Sequence, residues 1–518
     1  MPETEATRLS LFPFSFLCMN KVLLFNPKSA VAKHRVPNSI MNIAASINGI
    51  YDWVIVDGNR EEDPYARIAA YLQTGAFKYI GFTVMPGPQL KQAVPFAKKI
   101  KEQFPDTVMI WGGYFPTGHF KVVLQSGYVD FVINGPGDHA FPRLLQALEN
   151  HLPYELISNL IYKTADNTIV KSQKEALIEQ DELPALPYQK LHGFYPMEQY
   201  LGKTYLGKKT LAYHSSIGCP FTCSFCAVVP TYEARWKAKS AETIYRDVKY
   251  IKDRWGADAI EFHDNNFFVS EKRVVAFAKL IKPEKMNWWG MARIDTMSKF
   301  SDESLALIRE AGCRIIFFGA ESGNNEVLQQ LDKGGTQTGE QILAFAERLK
   351  RFDIIPEYSF VLGVPASTPE KVMAQIEFDI RFIKKLKAIN PKTEIVLYTY
   401  SPVATEGSEL YEQVLATGFR FPQTLEDWIS PQWERFDLRK NPLTPWLKPE
   451  MIDRIRNFET VLNGYYPTVS DIRLNSLKRK LVRFLSLIRY KTSLYQYPYE
   501  IKLLHKIWKY RQPEIQGF

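Results

Sequence analysis

The sequence predicts an α/β protein in three parts: a doubly wound parallel sheet, an open (β/α)6 barrel and a mostly helical C-terminal region. Five short apolar strands alternate with helix-length segments up to residue 150, and the alternation resumes six times from Thr210. Segments that alternate in this way form parallel sheets, because each helix returns the chain to the same end of the sheet. Beyond residue 420 the chain is rich first in Trp and Pro and then in Lys and Arg.

The expected boundaries follow from these patterns: a first domain at 20–150, a connector with a hairpin at 151–205, the barrel at 206–420 and the C-terminal region at 421–518. A chain of 518 residues is long enough for two or three domains, each with its own core. Its 46% hydrophobic and 23% charged residues are typical of a globular protein and argue against a disordered or fibrous class. No apolar run reaches the roughly 18 residues that a membrane-spanning helix needs.

The strands expected in the first domain are short and rich in aliphatic and aromatic residues. They are Lys21–Asn26, Asp52–Asp57, Lys78–Thr83, Val108–Trp111 and Val129–Asn134. In a doubly wound, Rossmann-like sheet a ligand binds outside the carboxyl ends of the strands. The loops expected there are Asn26-Pro27, Thr83-Val84-Met85, Gly112-Gly113 and Gly135-Pro136-Gly137-Asp138. Their glycines allow a ligand to approach the backbone closely.

The connector is expected to carry no chemistry. Ile157–Tyr162 and Thr168–Lys171 flank Ala165-Asp166-Asn167, a pattern typical of a β-hairpin. The stretch Leu183-Pro184-Ala185-Leu186-Pro187 is expected to cross to the barrel in an extended, proline-stiffened conformation.

Six strands are expected in the barrel, two fewer than in a closed eightfold barrel. They are Leu211–Ser216, Ala259–His263, Met286–Arg293, Arg314–Ala320, Pro356–Gly363 and Glu394–Tyr400. Ser240, Ser301 and Thr368 stand where N-caps of the intervening helices are expected. Functional residues of such barrels gather at the carboxyl ends of the strands.

Three of the five cysteines, Cys219, Cys223 and Cys226, fall within eight residues directly after the first barrel strand. Three thiolates on one loop can hold three irons of a [4Fe-4S] cluster and leave the fourth iron open. A structural zinc site is the alternative, but no further Cys or His follows within thirty residues. Cys18 and Cys313 are expected to be small buried residues.

This spacing resembles the CxxxCxxC signature of radical S-adenosylmethionine (SAM) enzymes, including the aromatic residue, Phe225, before the last cysteine. The resemblance implies that SAM chelates the open iron and is cleaved to a 5′-deoxyadenosyl radical. It also implies that SAM is contacted by Phe225 and by residues at the ends of strands two to four. The residues implied at these strand ends are His263, Asp264, Arg293, Glu321 and Ser322. From the residues alone, Arg293 and Asp295 could equally form a local ion pair, and His263 could be a hydrogen-bonded core residue.

The first domain resembles the cobalamin-binding domain of enzymes that pair a corrinoid with a SAM radical. In that family a Ser-x-Leu motif precedes a Gly-Gly pair; here Thr83-Val84-Met85 precedes Gly112-Gly113. With Gly135 and Gly137, these residues are the implied cobalamin contacts. The segment Val36–Met41 has no histidine where the family's lower cobalt ligand is expected, so a base-off cobalamin without His ligation is implied. The alternative is a domain of the same fold that binds no corrinoid.

The net charge of +9 is concentrated in the tail, where residues 471–518 carry eleven Lys and Arg against three Asp and Glu. The near-neutral remainder argues against nucleic-acid binding. Leu474–Ile488 interleaves apolar and basic residues, a pattern that can lie in a membrane interface. We favour a helix packed on the protein with its basic face in solvent, and peripheral membrane contact is the alternative. Trp428, Trp433 and Trp446 are expected to cap the barrel mouth.

The resemblance implies a cobalamin-dependent radical SAM enzyme that methylates an unactivated carbon, with SAM supplying both the methyl group and the adenosyl radical. A radical SAM cyclase or rearrangement enzyme, and a non-catalytic corrinoid or iron-sulfur carrier, are the alternatives. The expected partners are a small molecule, of lipid or tetrapyrrole character, and a one-electron reductant of the flavodoxin or ferredoxin type. An oxygen-sensitive cluster and reduced thiols are typical of the cytoplasm.

Overall fold

The computed structural model describes residues 20–29, 35–331, 337–402, 409–433, 444–467 and 474–508. Two sheets of mainly parallel strands, one in each of the first two parts of the chain, form the framework of the molecule. The α/β fold with a doubly wound sheet, a six-stranded barrel and a largely helical C-terminal region is therefore confirmed. Cys18 lies outside the described residues.

The first sheet has seven strands in the order β2-β1-β3-β4-β5-β6-β7. They are β1 Lys21–Asn26, β2 Trp53–Asp57, β3 Phe77–Thr83, β4 Val108–Gly112, β5 Phe131–Ile133, β6 Leu160–Lys163 and β7 Ile169–Lys171. The first five are parallel. The helices of this part are Asn38–Ile47, Pro64–Leu72, Pro88–Gln103, Tyr114–Gly118, Phe120–Gln125 and Ala140–Asn150.

Both faces of this sheet are buried, as the alternation of strand residues shows. Val22 and Leu24 of β1 belong to one hydrophobic core, whereas Leu23 and Phe25 belong to the other. A strand covered by helices on both faces needs apolar residues at successive positions, which explains the uninterrupted run Val22–Phe25.

The hairpin of β6 and β7 differs from the expected connector. β6 pairs antiparallel with β5, and β7 pairs antiparallel with β6, so the hairpin extends the first sheet. Its strands bury Leu160 and Ile161 on opposite faces. The packing that attaches the hairpin to β5 is non-local, so the local turn pattern did not predict it.

The barrel sheet has six parallel strands in the order β15-β14-β13-β12-β11-β8. A two-stranded ribbon of β9 and β10 interrupts it in the chain. The strands are β8 Thr210–Tyr213, β9 Ser216–Gly218, β10 Trp236–Ala238, β11 Ala259–Phe262, β12 Asn287–Ala292, β13 Cys313–Glu321, β14 Ile355–Leu362 and β15 Glu394–Thr399. The helices from the connector to the end of this part are Tyr188–Phe194, Val228–Tyr232, Ala241–Trp255, Glu271–Ile281, Ile294–Met297, Asp302–Glu310, Asn325–Gln330, Gly339–Arg351, Pro369–Ile389 and Glu409–Ala416, with 3-10 turns at Met197–Tyr200, Phe267–Val269 and Lys282–Glu284.

The expected first barrel strand, Leu211–Ser216, is wrong at its end. The strand stops at Tyr213, and Ser216 begins the separate ribbon strand β9, which pairs antiparallel with β10. The cause is Asp264, whose carboxylate accepts hydrogen bonds from the Ser215 N–H and from the hydroxyls of Ser215 and Ser216. The cysteine loop therefore leaves from the ribbon rather than from the barrel strand itself.

The C-terminal region divides between the two sheets. Its helices are Leu425–Trp428, Pro449–Tyr465, Ser476–Thr492 and Tyr499–Trp508. Trp446 lies at the barrel mouth, where its indole N–H donates to the Gly363 carbonyl at 2.9 Å. The expected cap is wrong for Trp428, which packs in the core of the first domain beside Phe115 and His119. No helix in the described residues is long and apolar enough to cross a membrane.

The basic helix packs on the protein, as favoured, but its buried face is not the apolar one. In Ser476–Thr492 the buried residues are Val482, Ser486 and Tyr490, which face the helix Pro449–Tyr465. Leu477, Leu481, Phe484 and Ile488 are exposed instead. The hydrophobic pattern of the sequence did not predict the buried face, because small and aromatic residues make the close contact with Gly464 and Tyr465.

Candidate active site

The carboxyl edges of the two parallel sheets face each other, and the expected site residues lie around this interface. The helix Tyr114–Gly118, which follows β4, packs against the helix Val228–Tyr232, which follows the cysteine loop. Across this contact the Tyr114 hydroxyl donates to Asn265 Oδ1 at 3.2 Å. Elsewhere along the interface, Asn38 Nδ2 donates to the Ala212 carbonyl at 3.1 Å. A ligand held by the loops of one domain is thus placed against those of the other.

The cysteine loop supplies three reduced thiols. The Cys226 N–H donates to the Cys223 carbonyl at 3.1 Å, and the Ser224 N–H donates to the Leu331 carbonyl at 3.2 Å. No disulfide joins the cysteines that the structure describes. No three His, Cys, Asp or Glu side chains in the described ranges lie close enough to share a single metal ion. A cubane cluster does not require this, since each iron takes its own thiolate, so the three residues fit such a group.

Arg293 lies directly against the cysteine loop. Its guanidinium donates to both carboxylate oxygens of Asp295, at 2.9 and 2.6 Å, and a third nitrogen lies 3.2 Å from Cys223 Sγ. The guanidinium also stacks on Phe221, 3.9 Å from the ring centroid. The local ion pair that the sequence left open therefore forms. Hydrogen bonds to ligating sulfurs tune the reduction potential of iron-sulfur clusters, so Arg293 is placed to act on such a cluster.

Asp264 holds the beginning of the cysteine loop. It is buried, and its carboxylate binds the backbone N–H of Ser215 at 2.6 Å and the Ser216 hydroxyl at 2.8 Å. Arg273 Nη2 lies 3.9 Å from the same carboxylate. Direct contact with SAM stays a prediction for Asp264.

Glu321 and Ser322 lie at the end of β13, where the strand register shifts against β14. Glu321 has a φ of 63°, a conformation that a residue with a side chain adopts only under constraint. The Ser322 hydroxyl lies 2.9 Å from both carboxylate oxygens of Asp379, and the Gly323 N–H donates to Oδ1 at 2.7 Å. Asp379 thus fixes this strand end from the helix Pro369–Ile389. Burial raises the pKa of Asp379 to about 7.

Two histidines follow neighbouring barrel strands. The rings of His214, after β8, and His263, after β11, are 6.2 Å apart and nearly parallel. His263 Nε2 lies 3.3 Å from Glu261 Oε2, and Arg35 of the first domain contacts the same oxygen at 3.2 Å. Burial lowers the pKa of His263 to about 4 and also lowers that of His214, so both rings are neutral at pH 7.

His214 is exposed at the carboxyl end of β8, and the neighbouring His263 contacts Trp289 in the barrel interior, with 5.6 Å between the ring centroids. The inward-facing positions of the neighbouring strands add polar groups to this interior: Trp289 Nε1 donates to Glu357 Oε2 at 3.2 Å.

In the first domain the two expected cobalamin motifs pack on each other. The Val84 N–H donates to the Gly112 carbonyl at 2.8 Å, and the Phe115 N–H donates to the Val84 carbonyl at 3.2 Å. Thr83 is buried, with its hydroxyl 3.2 Å from that of Ser39, whereas Met85 is exposed. Gly113 has a φ of 107°, and a Cβ there would lie 2.7 Å from the Val84 carbonyl oxygen, so only glycine fits.

The loop after β5 completes this glycine-lined edge. Gly135 has a φ of 101°, and a Cβ there would lie 3.0 Å from the Thr231 carbonyl, beside the cysteine loop. A Cβ on Gly137 would meet Ile43. The neighbouring Asn134 is fully buried, and neither polar atom of its side chain has a partner among the described residues. A buried amide without a partner and a glycine-lined edge fit a polar ligand such as a corrinoid.

Four residues of this region were not predicted from the sequence. His214 could have been found, because it follows a barrel strand as His263 does. Asn134 precedes an expected glycine loop, but no pattern in the neighbouring sequence predicts that its side chain is buried. Arg35 and Asp379 reach the site from 226 and 57 residues away in sequence, and no local pattern predicts such contacts.

Comparison with protein families identifies the barrel. Residues 213–378 match the Radical SAM superfamily model. The chain is 26% identical over 407 residues to an uncharacterized methyltransferase of Pyrococcus horikoshii, covering 76% of this chain and 83% of the relative. It is 24% identical over 436 residues to the anaerobic magnesium-protoporphyrin IX monomethyl ester cyclase of Rubrivivax gelatinosus, covering 80% and 70%.

The same architecture occurs in a solved structure of the cobalamin-dependent SAM radical enzyme OxsB. At 16% identity the similarity covers 94% of this chain and 75% of OxsB, with a TM-score of 0.65, and it is a similarity of fold. The family match at residues 213–378 contains the cysteine loop and the barrel strands β11, β12, β13 and β14. The part of the barrel at residues 213–378 therefore matches the radical SAM superfamily.

Proposed function

We propose that this radical SAM enzyme is a cobalamin-dependent methylase that acts on an unactivated carbon of a small molecule. The observation that carries the proposal is the opposition of the two carboxyl edges, which brings the glycine-lined loops of the first domain against the cysteine loop. A methyl donor and a hydrogen-abstracting radical must both reach one substrate carbon. Two cofactor sites that share an interface meet this requirement.

Each of the two proposed domains would hold different cofactors. Residues 20–150 would hold a base-off corrinoid through Thr83, Val84, Met85, Gly112, Gly113, Gly135 and Gly137, with Asn134 added. Residues 206–420 would hold the cluster through the three cysteines, and SAM near Phe225, His263, Asp264, Arg293, Glu321 and Ser322. When bound, these groups supply a transferable methyl group and, with one electron from a flavodoxin- or ferredoxin-type reductant, a carbon-centred radical.

The chain's own residues position and shield this chemistry. Arg293 places a fixed positive charge beside Cys223, and Asp264 fixes the strand from which the cysteine loop leaves. The neutral rings of His214 and His263 can donate or accept hydrogen bonds to a substrate in the barrel interior. Trp446 covers the ends of β14 and β15, which helps to exclude water from a reactive radical.

The test is the set of coproducts formed by anaerobically reconstituted protein with SAM, hydroxocobalamin and a low-potential reductant. A methylase forms S-adenosylhomocysteine together with 5′-deoxyadenosine. A cyclase or rearrangement enzyme, the second candidate because of the Rubrivivax relative, forms 5′-deoxyadenosine alone during turnover. A non-catalytic carrier forms neither. We expect about four irons and about one cobalt per chain.

Cysteine variants provide the control for this assay. Cys223→Ala should lose both the cluster and 5′-deoxyadenosine formation. Cys313→Ala removes a fully buried cysteine of β13, outside the loop, and should keep both. Equal loss in both variants would indicate a folding defect rather than a missing ligand.

The exposed apolar residues of the helix Ser476–Thr492 support a further part of the proposal, peripheral membrane contact. Phe484 and Ile488 are about 70% exposed, next to Arg483 and Lys480. A basic helix with an apolar stripe can lie in the membrane interface without spanning the bilayer. A substrate of lipid or tetrapyrrole character would be consistent with such a position.

A further inference from the structure

Tyr114 belongs to the first domain, but its side chain lies at the contact with the barrel. It directly follows the pair Gly112-Gly113 and is the first residue of the helix Tyr114–Gly118. Its hydroxyl donates to Asn265 Oδ1, at 3.2 Å, in the loop after the barrel strand β11. One side chain therefore joins the implied corrinoid contacts of the first domain to the carboxyl end of a barrel strand.

The backbone on either side of Tyr114 has little freedom to move. Gly113 has a φ of 107°, and a Cβ at this position would lie 2.7 Å from the Val84 carbonyl oxygen. The Phe115 N–H donates to that same carbonyl at 3.2 Å. Val84 and the glycine pair are both implied corrinoid contacts. A corrinoid seated on them would therefore fix the position from which the Tyr114 side chain extends.

On the barrel side, Asn265 is connected to the cysteine loop through its neighbour Asp264. The buried Asp264 carboxylate accepts hydrogen bonds from the Ser215 N–H at 2.6 Å and from the Ser216 hydroxyl at 2.8 Å. Ser216 begins β9, the strand from which the cysteine loop leaves. Asp264 is also one of the residues implied to contact SAM. The acceptor of the Tyr114 hydroxyl is therefore next to a residue that organises the SAM side of the barrel.

Tyr114 also contacts the helix Val228–Tyr232, which follows the cysteine loop. The rings of Tyr114 and Tyr232 pack edge to face, with 6.5 Å between their centroids and an angle of 73° between their planes. Gly135 of the first domain lies against the same helix, since a Cβ there would be 3.0 Å from the Thr231 carbonyl oxygen. The segment that follows the cluster ligands is thus held by two loops on which the corrinoid is expected to bind.

These contacts predict that the two binding events are not independent. A ligand that fixes one side of a contact reduces the conformational freedom that a ligand on the other side must remove, so the second ligand binds more tightly. By thermodynamic linkage, each ligand must change the affinity for the other by the same factor.

We propose that Tyr114 is a positioning residue that couples the corrinoid site to the SAM site, so that each ligand increases the affinity for the other by about tenfold. The proposal rests on the two cofactor sites of the proposed function. It assigns the coupling to the hydroxyl, because phenylalanine at this position keeps the ring contact with Tyr232 but loses the bond to Asn265.

The test is a set of four dissociation constants, measured anaerobically by equilibrium dialysis on the protein with its reconstituted cluster and without a reductant. They are those of SAM with and without saturating hydroxocobalamin, and those of hydroxocobalamin with and without saturating SAM. In the unaltered protein both ligands should gain about tenfold, by the same factor. In Tyr114→Phe the gain should fall below about twofold, and Asn265→Ala, which removes the acceptor, should have the same effect. The double variant should lose no more than either single variant.

Tyr65→Phe is the matched control. The Tyr65 hydroxyl also donates to a side-chain amide, Gln103 Oε1 at 2.7 Å, but it joins two helices within the first domain. This variant should keep the tenfold coupling. Coupling that persists in Tyr114→Phe would overturn the role of Tyr114. Independent binding of SAM and hydroxocobalamin to the unaltered protein would overturn the coupling and leave the proposed function standing, whereas failure to bind hydroxocobalamin would overturn both.

Discussion

Arg293 combines three contacts that a lysine could not reproduce. Its planar group binds Asp295 with two bonds, lies 3.2 Å from Cys223 Sγ and stacks on Phe221. A lysine keeps the positive charge but loses the two-bond contact with the carboxylate and the stacking on the aromatic ring. We expect Arg293→Lys to retain the cluster but to cleave SAM about 10- to 100-fold more slowly, because we propose that the guanidinium helps to position SAM beside the cysteine loop.

Iron content and 5′-deoxyadenosine yield, measured on the same samples, check this prediction. Arg348→Lys is a useful control, since Arg348 also binds a carboxylate, that of Asp302, through two guanidinium nitrogens but lies away from the cysteine loop. A normal cleavage rate in Arg293→Lys would contradict a role in SAM cleavage and leave Arg293 only the ion pair with Asp295.

Asp379 makes the stability of the barrel depend on pH. Burial raises its pKa from 3.8 to about 7, although two donors bind its carboxylate. Since the folded pKa is raised, the stability that this group contributes is complete below about pH 4 and is lost as the pH rises to about 7. Relative to Asp379→Asn, the unaltered protein should lose at most ~4 kcal/mol across this interval.

Thermal unfolding of both proteins between pH 4 and pH 8 measures this difference. As the pH rises, the unfolding midpoint of the unaltered protein should fall relative to that of Asp379→Asn. A gap that is constant over the whole range would contradict the assignment of the titration to Asp379.

At the scale of elements, the turn after β4 contains two adjacent glycines with different requirements. A Cβ on Gly113 would lie 2.7 Å from the Val84 carbonyl oxygen at a φ of 107°, whereas one on Gly112 would meet Ile133 at an ordinary 3.7 Å. We expect Gly113→Ala to destabilise the first domain by roughly 1–3 kcal/mol and Gly112→Ala to leave it nearly unchanged.

Corrinoid binding, read from the visible spectrum, adds a second observable to this pair. Loss of corrinoid in Gly112→Ala without loss of stability would show that this glycine faces the ligand. Equal stability of the two variants would contradict the strain argued for Gly113.

The contact between the helices Pro449–Tyr465 and Ser476–Thr492 depends on Gly464. A Cβ there would lie within van der Waals overlap of Ser486. Gly464→Ala should therefore separate these helices and lower the stability of the C-terminal region by about 1–3 kcal/mol. Gly193 lies in the helix Tyr188–Phe194 with open space around its Cβ position, and Gly193→Ala should be tolerated. Proteolysis within residues 468–518 is the measurement, and equal cleavage of the two variants would contradict this prediction.

At the scale of the whole molecule, the two carboxyl edges are in contact, and we propose that they share one site. Tyr114 bonds to Asn265 across the interface, and Gly135 lies against Thr231. We expect hydroxocobalamin alone to slow amide hydrogen exchange in residues 225–232 of the barrel as well as in 83–85 and 112–115 of the first domain. Helix Glu271–Ile281, on the outside of the barrel, serves as the internal reference. Protection confined to the first domain would contradict a shared site.

Much of this architecture could be predicted from local patterns. The strand Lys21–Asn26 has the expected bounds, and the cysteine loop stands at the carboxyl side of the first barrel strand because thiol spacing and strand order are both local signals. Contacts between distant segments could not be predicted. The Arg35–Glu261 ion pair, the Ser322–Asp379 bonds and the attachment of Leu160–Lys163 to β5 all depend on tertiary packing.

The buried face of the helix Ser476–Thr492 shows the same limit at a smaller scale. Hydrophobicity predicts that Leu477, Phe484 and Ile488 are buried. They are exposed, because the steric fit between the two helices determines which face is buried. Gly464 allows the backbones to approach only where Ser486 is small, and Tyr490 stacks on Tyr465 at 4.5 Å.

The hairpin of β6 and β7 also bears on how the protein avoids self-association. Without it, the parallel sheet would end at β5 and present the unpaired N–H and C=O groups of that strand. Exposed sheet edges recruit strands from other molecules. The hairpin replaces that edge with β7, which is only three residues long and ends in Lys171. A short, charged outer strand is a poor template for intermolecular pairing, so the segment between the two domains protects the chain from aggregation while it folds.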